Sequence, residues 1–283
     1  MKKVIGITGT SSGFGYLMVK AMANADHTVI ATMRGIKDKN KDKAQALSAL
    51  PGVDVLELDV ASDLSVKVAI ETILSKYQQI DVLINNAAIQ GNGLLEAYSL
   101  EQFQRIINVN VYGIVRLYHQ VLPAMRAVQN GLIINITSTA GRFSPPFQVP
   151  YNASKFAVEA ITEGGYDELI SQGIETVIIE PGAFMTEMYT KEGTHADRPQ
   201  LLNAYGEQTK QIMSALQDKL AGAMNKYQPD PQVIADVALR LINMDKGTRP
   251  LRTSVDPIAD GVDLEFNQAT AEIKARWVGK YLA

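Results

Sequence analysis

Short apolar runs rich in Val and Ile recur along the chain, at Val4–Thr8, Thr28–Thr32, Val53–Leu58, Val82–Asn85, Leu132–Ile136 and Thr176–Glu180. Between them, near residues 16–25, 40–50, 63–78, 100–128 and 151–171, apolar residues fall three and four apart, as on one face of a helix. A strand that reads as a continuous apolar run has both faces covered, which is the habit of parallel sheets. Strict alternation of such strands with helices predicts an α/β fold: a doubly wound parallel sheet flanked by helices on both faces. Past the sixth run the pattern is helical again. Leu201–Met224 is amphipathic, with Met213, Leu216 and Leu220 at helical spacings. Pro229–Asn243 reads as another helix, Leu251–Thr253 as a last edge strand guarded by Pro250, and Asp263–Tyr281 as a closing helix that carries Trp277.

Composition narrows the picture without changing it. With 283 residues, 46% hydrophobic and 20% charged, the chain has enough apolar matter for a sizeable core. No repeat or linker divides it, so 1–283 is expected to form one domain. The net charge is −3 and basic residues form no block, which argues against a nucleic-acid partner. Cys is absent, which removes thiol nucleophiles and zinc–thiolate sites. His27, His119 and His195 are scattered and show no ligand spacing, so no metal is expected. The apolar run that follows Met1-Lys2-Lys3 is too short for a signal peptide or a membrane span, and a cytoplasmic protein is expected.

The candidate chemistry gathers at Leu132–Lys155, LIINITSTAGRFSPPFQVPYNASK. A strand ends there in Thr137, Ser138 and Thr139. Pro145, Pro146 and Pro150 hold the chain out of a helix, and a helix then starts near Tyr151. Tyr151 and Lys155 are four apart and share a helix face. A hydroxyl, a phenol and an ammonium converging on one point would serve proton transfer to an oxygen. Phenols are poor acids at neutral pH, with a pKa near 10. A nearby cation favours the phenolate, and Lys155 is the nearest candidate. Upstream, Gly9-Thr10-Ser11-Ser12-Gly13-Phe14-Gly15 follows the first strand and opens a helix. Glycines there allow a tight turn and close backbone approach, and the helix N-terminus offers N–H groups to a pyrophosphate.

Ser138, Tyr151 and Lys155 resemble the Ser, Tyr-x-x-x-Lys triad of the short-chain dehydrogenase/reductase family, and Thr8–Gly15 matches its T-G-x-x-x-G-x-G turn. Four further motifs follow in family order: Asp59-Val60, Asn85-Asn86-Ala87-Ala88, Asn110, and Pro181-Gly182-Ala183-Phe184-Met185-Thr186. The resemblance covers residues 4 to 186, about two thirds of the chain. It implies a Rossmann-like fold and a nicotinamide cofactor held by Gly9, Ser11, Ser12, Gly13, Phe14, Gly15, Asp59, Val60, Asn86, Ala87, Ala88, Tyr151, Lys155, Pro181, Gly182, Phe184 and Thr186. It also implies catalysis by Asn110, Ser138, Tyr151 and Lys155, with Asn110 at a bent helix that feeds a water relay to the lysine. Ala88 stands where the family usually has Gly. The second strand ends Ala31-Thr32-Met33-Arg34 without an acid for ribose hydroxyls, so Arg34 is expected to meet a 2′-phosphate. NADP(H) is therefore preferred, and NAD(H) is possible.

The expected activity is NADP(H)-dependent exchange of a hydride between nicotinamide and a small-molecule carbonyl or secondary alcohol. The alternatives are an NAD-dependent alcohol dehydrogenase of the same fold and a non-catalytic NADP(H) sensor. Gln90, Leu94, Phe143, Phe147, Val149, Phe184 and Met188 are expected to line the substrate pocket, which suits a lipophilic ketone or aldehyde. Residues 187–228 read either as a lid over that pocket or as an ordinary packed helix. Residues 229–283 supply the last helices and the edge strand. Gly164-Gly165 interrupts the helix that often forms the family's subunit interface, which puts the usual homo-oligomer in doubt.

Overall fold

The computed structural model describes residues 1–189 and 195–281. Within them, β1 (Val4–Thr8), β2 (Thr28–Met33), β3 (Val53–Glu57), β4 (Val82–Asn85), β5 (Gly131–Ile136), β6 (Ile174–Pro181) and β7 (Arg252–Val255) pair in parallel, in the order β3-β2-β1-β4-β5-β6-β7. The helices are α1 (Gly13–Asn24), α2 (Lys41–Ser48), α3 (Asp63–Tyr77), α4 (Leu100–Ile107), α5 (Gly113–Ala127), α6 (Val149–Leu169), α7 (Gly206–Tyr227), α8 (Gln232–Asn243) and α9 (Val262–Tyr281). This is the doubly wound, Rossmann-like sheet that the apolar runs predict.

Both faces of the sheet are sealed, and the pleat assigns neighbouring residues to opposite sides. Ile5, Ile7, Val82, Ile84 and Ile134 pack with Met18, Met22, Ile234 and Ala238 of α1 and α8. Ile30, Leu83 and Ile133 point the other way, onto Val66, Ile70, Leu117, Val121 and Val158 of α3, α5 and α6. Each such side chain, taken fully out of water, contributes about 1.5–3 kcal/mol before entropy is counted. Strand order reverses between β1 and β4, where Ile5 pairs with Val82 and Ile7 with Ile84. Crevices that hold ligands in such folds open beyond the C-terminal ends of the strands at that reversal.

Four local features depart from the sequence pattern. First, β6 is longer than its apolar run because it accommodates charge. Glu175 is buried and ion-paired with the Arg249 guanidinium. Second, the helical stretch 100–128 is two helices joined by a π-helical segment, Asn108–Tyr112. Asn110 sits in it, so the unfavourable mid-helix Asn marks a real change of helix type. Third, α6 runs unbroken through Gly164-Gly165. Each glycine costs up to about 1 kcal/mol against Ala, and buried Val158 and Thr162 on the same helix outweigh that. Fourth, the amphipathic stretch from Leu201 begins as a 3-10 helix, Pro199–Tyr205. It becomes α-helical only at Gly206, whose φ is +75°. Residues 190–194, within the stretch read as a lid, lie outside the described residues.

Candidate active site

Ser138 follows β5 in extended backbone. Its hydroxyl accepts the Ala140 N–H at 3.1 Å and donates to the Pro181 carbonyl at 3.3 Å, which ties the ends of β5 and β6 together. Tyr151 and Lys155 lie in the opening turns of α6, with Pro150 just inside the helix start. The Lys155 ammonium is 5.6 Å from the centroid of the Tyr151 ring and donates to the Ile136 carbonyl at 2.9 Å. Burial pushes its pKa down to about 8, against a smaller upward pull from the Glu159 charge. At pH 7 the group is still mostly an ammonium, held in a place with little water to screen it. Ser138, Tyr151 and Lys155 all line one cavity of about 770 Å³. The three side chains expected to act together thus line the same cavity.

Asn110 is 1% exposed and does not line that cavity. Its side chain accepts the Ile89 N–H at 2.8 Å and donates to the Ile89 carbonyl at 2.8 Å and to Ser154 Oγ at 2.9 Å. Ser154 in turn donates to the Tyr151 carbonyl at 2.6 Å. A path of hydrogen bonds therefore runs from the π segment to the helical turn that carries the phenol. Sequence reading flagged Asn110 but had no means of seeing Ser154.

The glycine-rich turn fits a dinucleotide. Gly9 has φ +70°, and a Cβ there would come within 2.8 Å of the Ala87 Cα. A Cβ on Gly15 would overlap the Gly9 carbonyl. The first turn of α1 holds no acid, so its N–H groups are free of an internal carboxylate competitor. Asn86 staples the crevice by donating to the Thr8 and Gly9 carbonyls at 2.8 and 3.0 Å, while Thr8 Oγ1 accepts the N–H groups of Asn86 and Ala87. Phe14, Asn86, Ala88, Pro181, Gly182, Phe184 and Thr186 line the cavity. Phe14 meets Phe184 edge-on, with centroids 5.5 Å apart. Ser11 and Ser12 lie half-buried in the same turn.

Arg34 is exposed, and its guanidinium is 3.8 Å from Asp59, so two residues expected at the cofactor stand together. Sequence reading missed Glu57, whose carboxylate accepts the N–H groups of Gly35 and Ile36 at 2.7 and 2.9 Å. Asp59 also accepts the Ala61 N–H at 3.0 Å, while Ser62 caps α3 by accepting the Ser65 N–H. The Val60 side chain is buried in the core near Gly113, which leaves only its backbone for a cofactor.

Of the residues expected to line a substrate pocket, Gln90, Phe143, Phe147, Phe184 and Met188 line the cavity. Leu94 and Val149 do not. Leu94 is buried in a satellite core with Tyr98, Ile106 and Ala196, and Val149 is the first residue of α6. Proximity to a strand end does not say which way a loop side chain turns. Met213, Leu216 and Leu220 of α7 line the opposite wall. Asn92, His195, Asp256 and Ile258 line it too and were missed. Asp256 was within reach of sequence reasoning, because it follows the last strand of a parallel sheet at the edge where the other sites lie. Among the described residues no group of His, Asp and Glu is placed to hold a metal ion.

Comparison with known proteins bears on this arrangement. The family model for short chain dehydrogenase matches residues 3–197. The uncharacterized oxidoreductase YusZ of Bacillus subtilis (strain 168) is 33% identical over 243 residues, covering 85% of this chain and 84% of YusZ. The 3-ketodihydrosphingosine reductase of Bacteroides thetaiotaomicron is 36% identical over 184 residues, 65% of each chain. Among solved structures, ElxO with NADP bound superposes with a TM-score of 0.74 at 27% identity, covering 91% of this chain and 98% of that one. No described helix is long and apolar enough to cross a membrane. With the sheet order, the stapled glycine turn and the Ser, Tyr and Lys groups in one cavity, these matches settle the family: the chain is a short-chain dehydrogenase, an oxidoreductase.

Proposed function

We propose that the protein is a single-domain NADP(H)-dependent enzyme that interconverts a lipophilic ketone or aldehyde and its alcohol. The observation that carries this reading is the meeting of Ser138, Tyr151 and Lys155 in a cavity whose other walls are largely apolar. Bound nicotinamide supplies or accepts the hydride, and the chain's own groups handle the proton and the charge. Tyr151 gives its phenolic proton to the carbonyl oxygen in reduction and takes it back in oxidation. Lys155 stabilises the phenolate and holds the nicotinamide ribose. Ser138 turns its hydroxyl from the Pro181 carbonyl to donate to the substrate oxygen as negative charge grows on it. Asn110 holds the first turn of α6 through Ser154 and supports the water relay to Lys155. Of the stretch read as a lid, α7 covers the cavity, with Met213, Leu216 and Leu220 as its inner face.

Arg34 supports NADP(H), since the end of β2 offers a guanidinium and no acid. Glu57 and Asp59 flank it and temper the local positive charge, which favours some use of NAD(H) as well. A relative whose name specifies reduction of a keto compound supports the carbonyl as the reacting group. Gly164 has no neighbour within 4 Å of a Cβ position, so the α6 face at that point offers little side-chain surface to a partner subunit.

The test is NADPH oxidation across a panel of long-chain ketones and aldehydes, repeated with Tyr151→Phe. Turnover is expected to fall at least about 100-fold, the scale of general acid–base catalysis, with NADPH affinity kept. Near-normal turnover in that variant would remove Tyr151 from the mechanism.

A further inference from the structure

Asp256 follows β7 directly. Val255 pairs with Pro181, and its carbonyl accepts the Gly182 N–H at 2.9 Å. The aspartate carboxylate therefore stands over the end of β6. It rests on Gly182 so closely that a Cβ there would overlap it, and glycine at 182 is what leaves it room. The Ile258 N–H donates to it at 3.0 Å. Among the described residues no lysine or arginine acts on it, and the other charge that does is negative, on Asp263. Asp256 is the only Asp or Glu among the described residues that line the cavity, where it sits with Phe143, Met213, Leu216, Leu220 and Ile258. Burial, helped by Asp263, pushes its pKa up.

A carboxylate half removed from water without a counter-ion is costly, and a neutral apolar ligand that covered it would add to that cost. A ligand carrying an ammonium group would relieve it by a charge-assisted hydrogen bond in a region poor in water. We propose that Asp256 makes the cavity selective for lipophilic carbonyl compounds, and their alcohols, that carry an ammonium group: amino ketones and amino alcohols with a hydrocarbon tail. This rests on reading the cavity as the substrate's. The geometry also limits where the amine sits. Ser138 touches the Pro181 carbonyl, and the next residue, Gly182, touches Asp256. Both groups therefore stand over neighbouring residues at the end of β6. The nitrogen is accordingly borne within a few bonds of the carbonyl carbon, and the tail runs toward α7.

The experiment is direct binding to the NADPH-bound protein at pH 7, by calorimetry, of decylamine, decan-1-ol and decanoate. These probes share a tail and need no turnover, so failure of the carbonyl panel would count against the proposed reaction and not against this site. Wild type is expected to bind decylamine at least about tenfold tighter than decanol, and decanoate weakest. Asp256→Asn should lose about tenfold or more toward decylamine and stay within about twofold for decanol and for NADPH. Three results would overturn the proposal: no amine preference in wild type, an equal loss for amine and alcohol, or a loss of NADPH affinity that assigns Asp256 to the cofactor's amide. The wild-type order of the three probes needs no variant and stands even if Asp256→Asn does not fold.

Discussion

Lys155 and Arg252 are both cations taken out of water, and the fold treats them in opposite ways. Burial pulls the Arg252 guanidinium down, but the carboxylates of Glu163 and Glu159 more than reverse this, and its pKa is raised. It pairs with Glu159 at 2.8 Å, with Glu163, and with Glu180 at 3.5 Å, binding α6, β6 and β7 together. Lys155 lies one helical turn before Glu159. It receives only that group's longer-range pull and is left with its pKa lowered to about 8. Compensation is complete in one case and partial in the other. A fully paired charge is inert and structural, whereas an under-compensated one can still stabilise a phenolate. Arg34 is the third case: it is exposed, loosely paired with Asp59, and screened by water and salt.

The comparison breaks most visibly at Arg252. Arg252→Leu keeps apolar volume but strands buried Glu159 and leaves Glu180 with only Arg142 and Asn267, and a loss of about 3–5 kcal/mol in unfolding free energy is expected at pH 7. Burial and the Glu159 charge already raise the Glu180 pKa in the intact protein. Its contribution is full below the usual carboxylate range and fades as pH rises through the raised value. The deficit of the variant should therefore shrink between pH 7 and pH 5 in urea titrations. A deficit unchanged with pH would mean that packing, not charge, was lost.

Lys155→Met is expected to move stability the other way. Burial brings the Lys155 pKa from an ordinary 10.5 down to about 8, and the buried ammonium costs about 3 kcal/mol below pH 8. That cost lifts as pH rises from about 8 to 10.5. Met removes it but leaves the Ile136 carbonyl without its donor, worth about 1 kcal/mol. The variant should be about 1–2 kcal/mol more stable than wild type at pH 7, with the gap closing toward pH 10. Its activity should fall, and what survives should shift to higher pH. A less stable variant at pH 7 would show that Lys155 is better compensated than argued.

The smallest effect is expected at the exposed cation. Arg34→Ala should weaken NADPH binding by roughly tenfold, about 1.4 kcal/mol, and leave NADH little changed. Equal loss for both cofactors would place Arg34 with the fold or the adenine. Raising salt should erode the wild-type preference, because this site is screened and that of Arg252 is not.

The central strands were readable because both their faces are buried, which leaves an apolar run broken only by Asn85 at Val82–Asn85 and by Asn135 at Leu132–Ile136. The motif residues were readable because glycine turns and a Tyr–Lys pair one helical turn apart have few other uses in that order. What could not be read was set by orientation and by distant partners. Glu175 lay outside the sixth apolar run, and only Arg249 beside it shows how a carboxylate is held inside β6. Leu94 and Asp256 both follow strand regions, and only the folded loops decide that one enters a satellite core and the other the cavity. The glycine pair in α6 was read as an interruption because a local cost of at most about 2 kcal/mol is visible in sequence and the packing that overrides it is not.

The central position of β1 has a consequence for biosynthesis. Its two neighbours are β2 and β4, so one of its edges is paired within residues 28–33 and the other waits for residues 82–85. A nascent chain that has released only β1, β2 and β3 presents a bare strand edge at what will become the middle of the sheet. Such edges invite pairing with other chains. It also lacks Asn86, whose side chain closes the glycine turn, so a dinucleotide is expected to give the early fragment little help. Nicotinamide cofactor supply is therefore expected to help late in synthesis, once β4 has emerged, and a ribosome stalled before that point should leave a species that depends on chaperones.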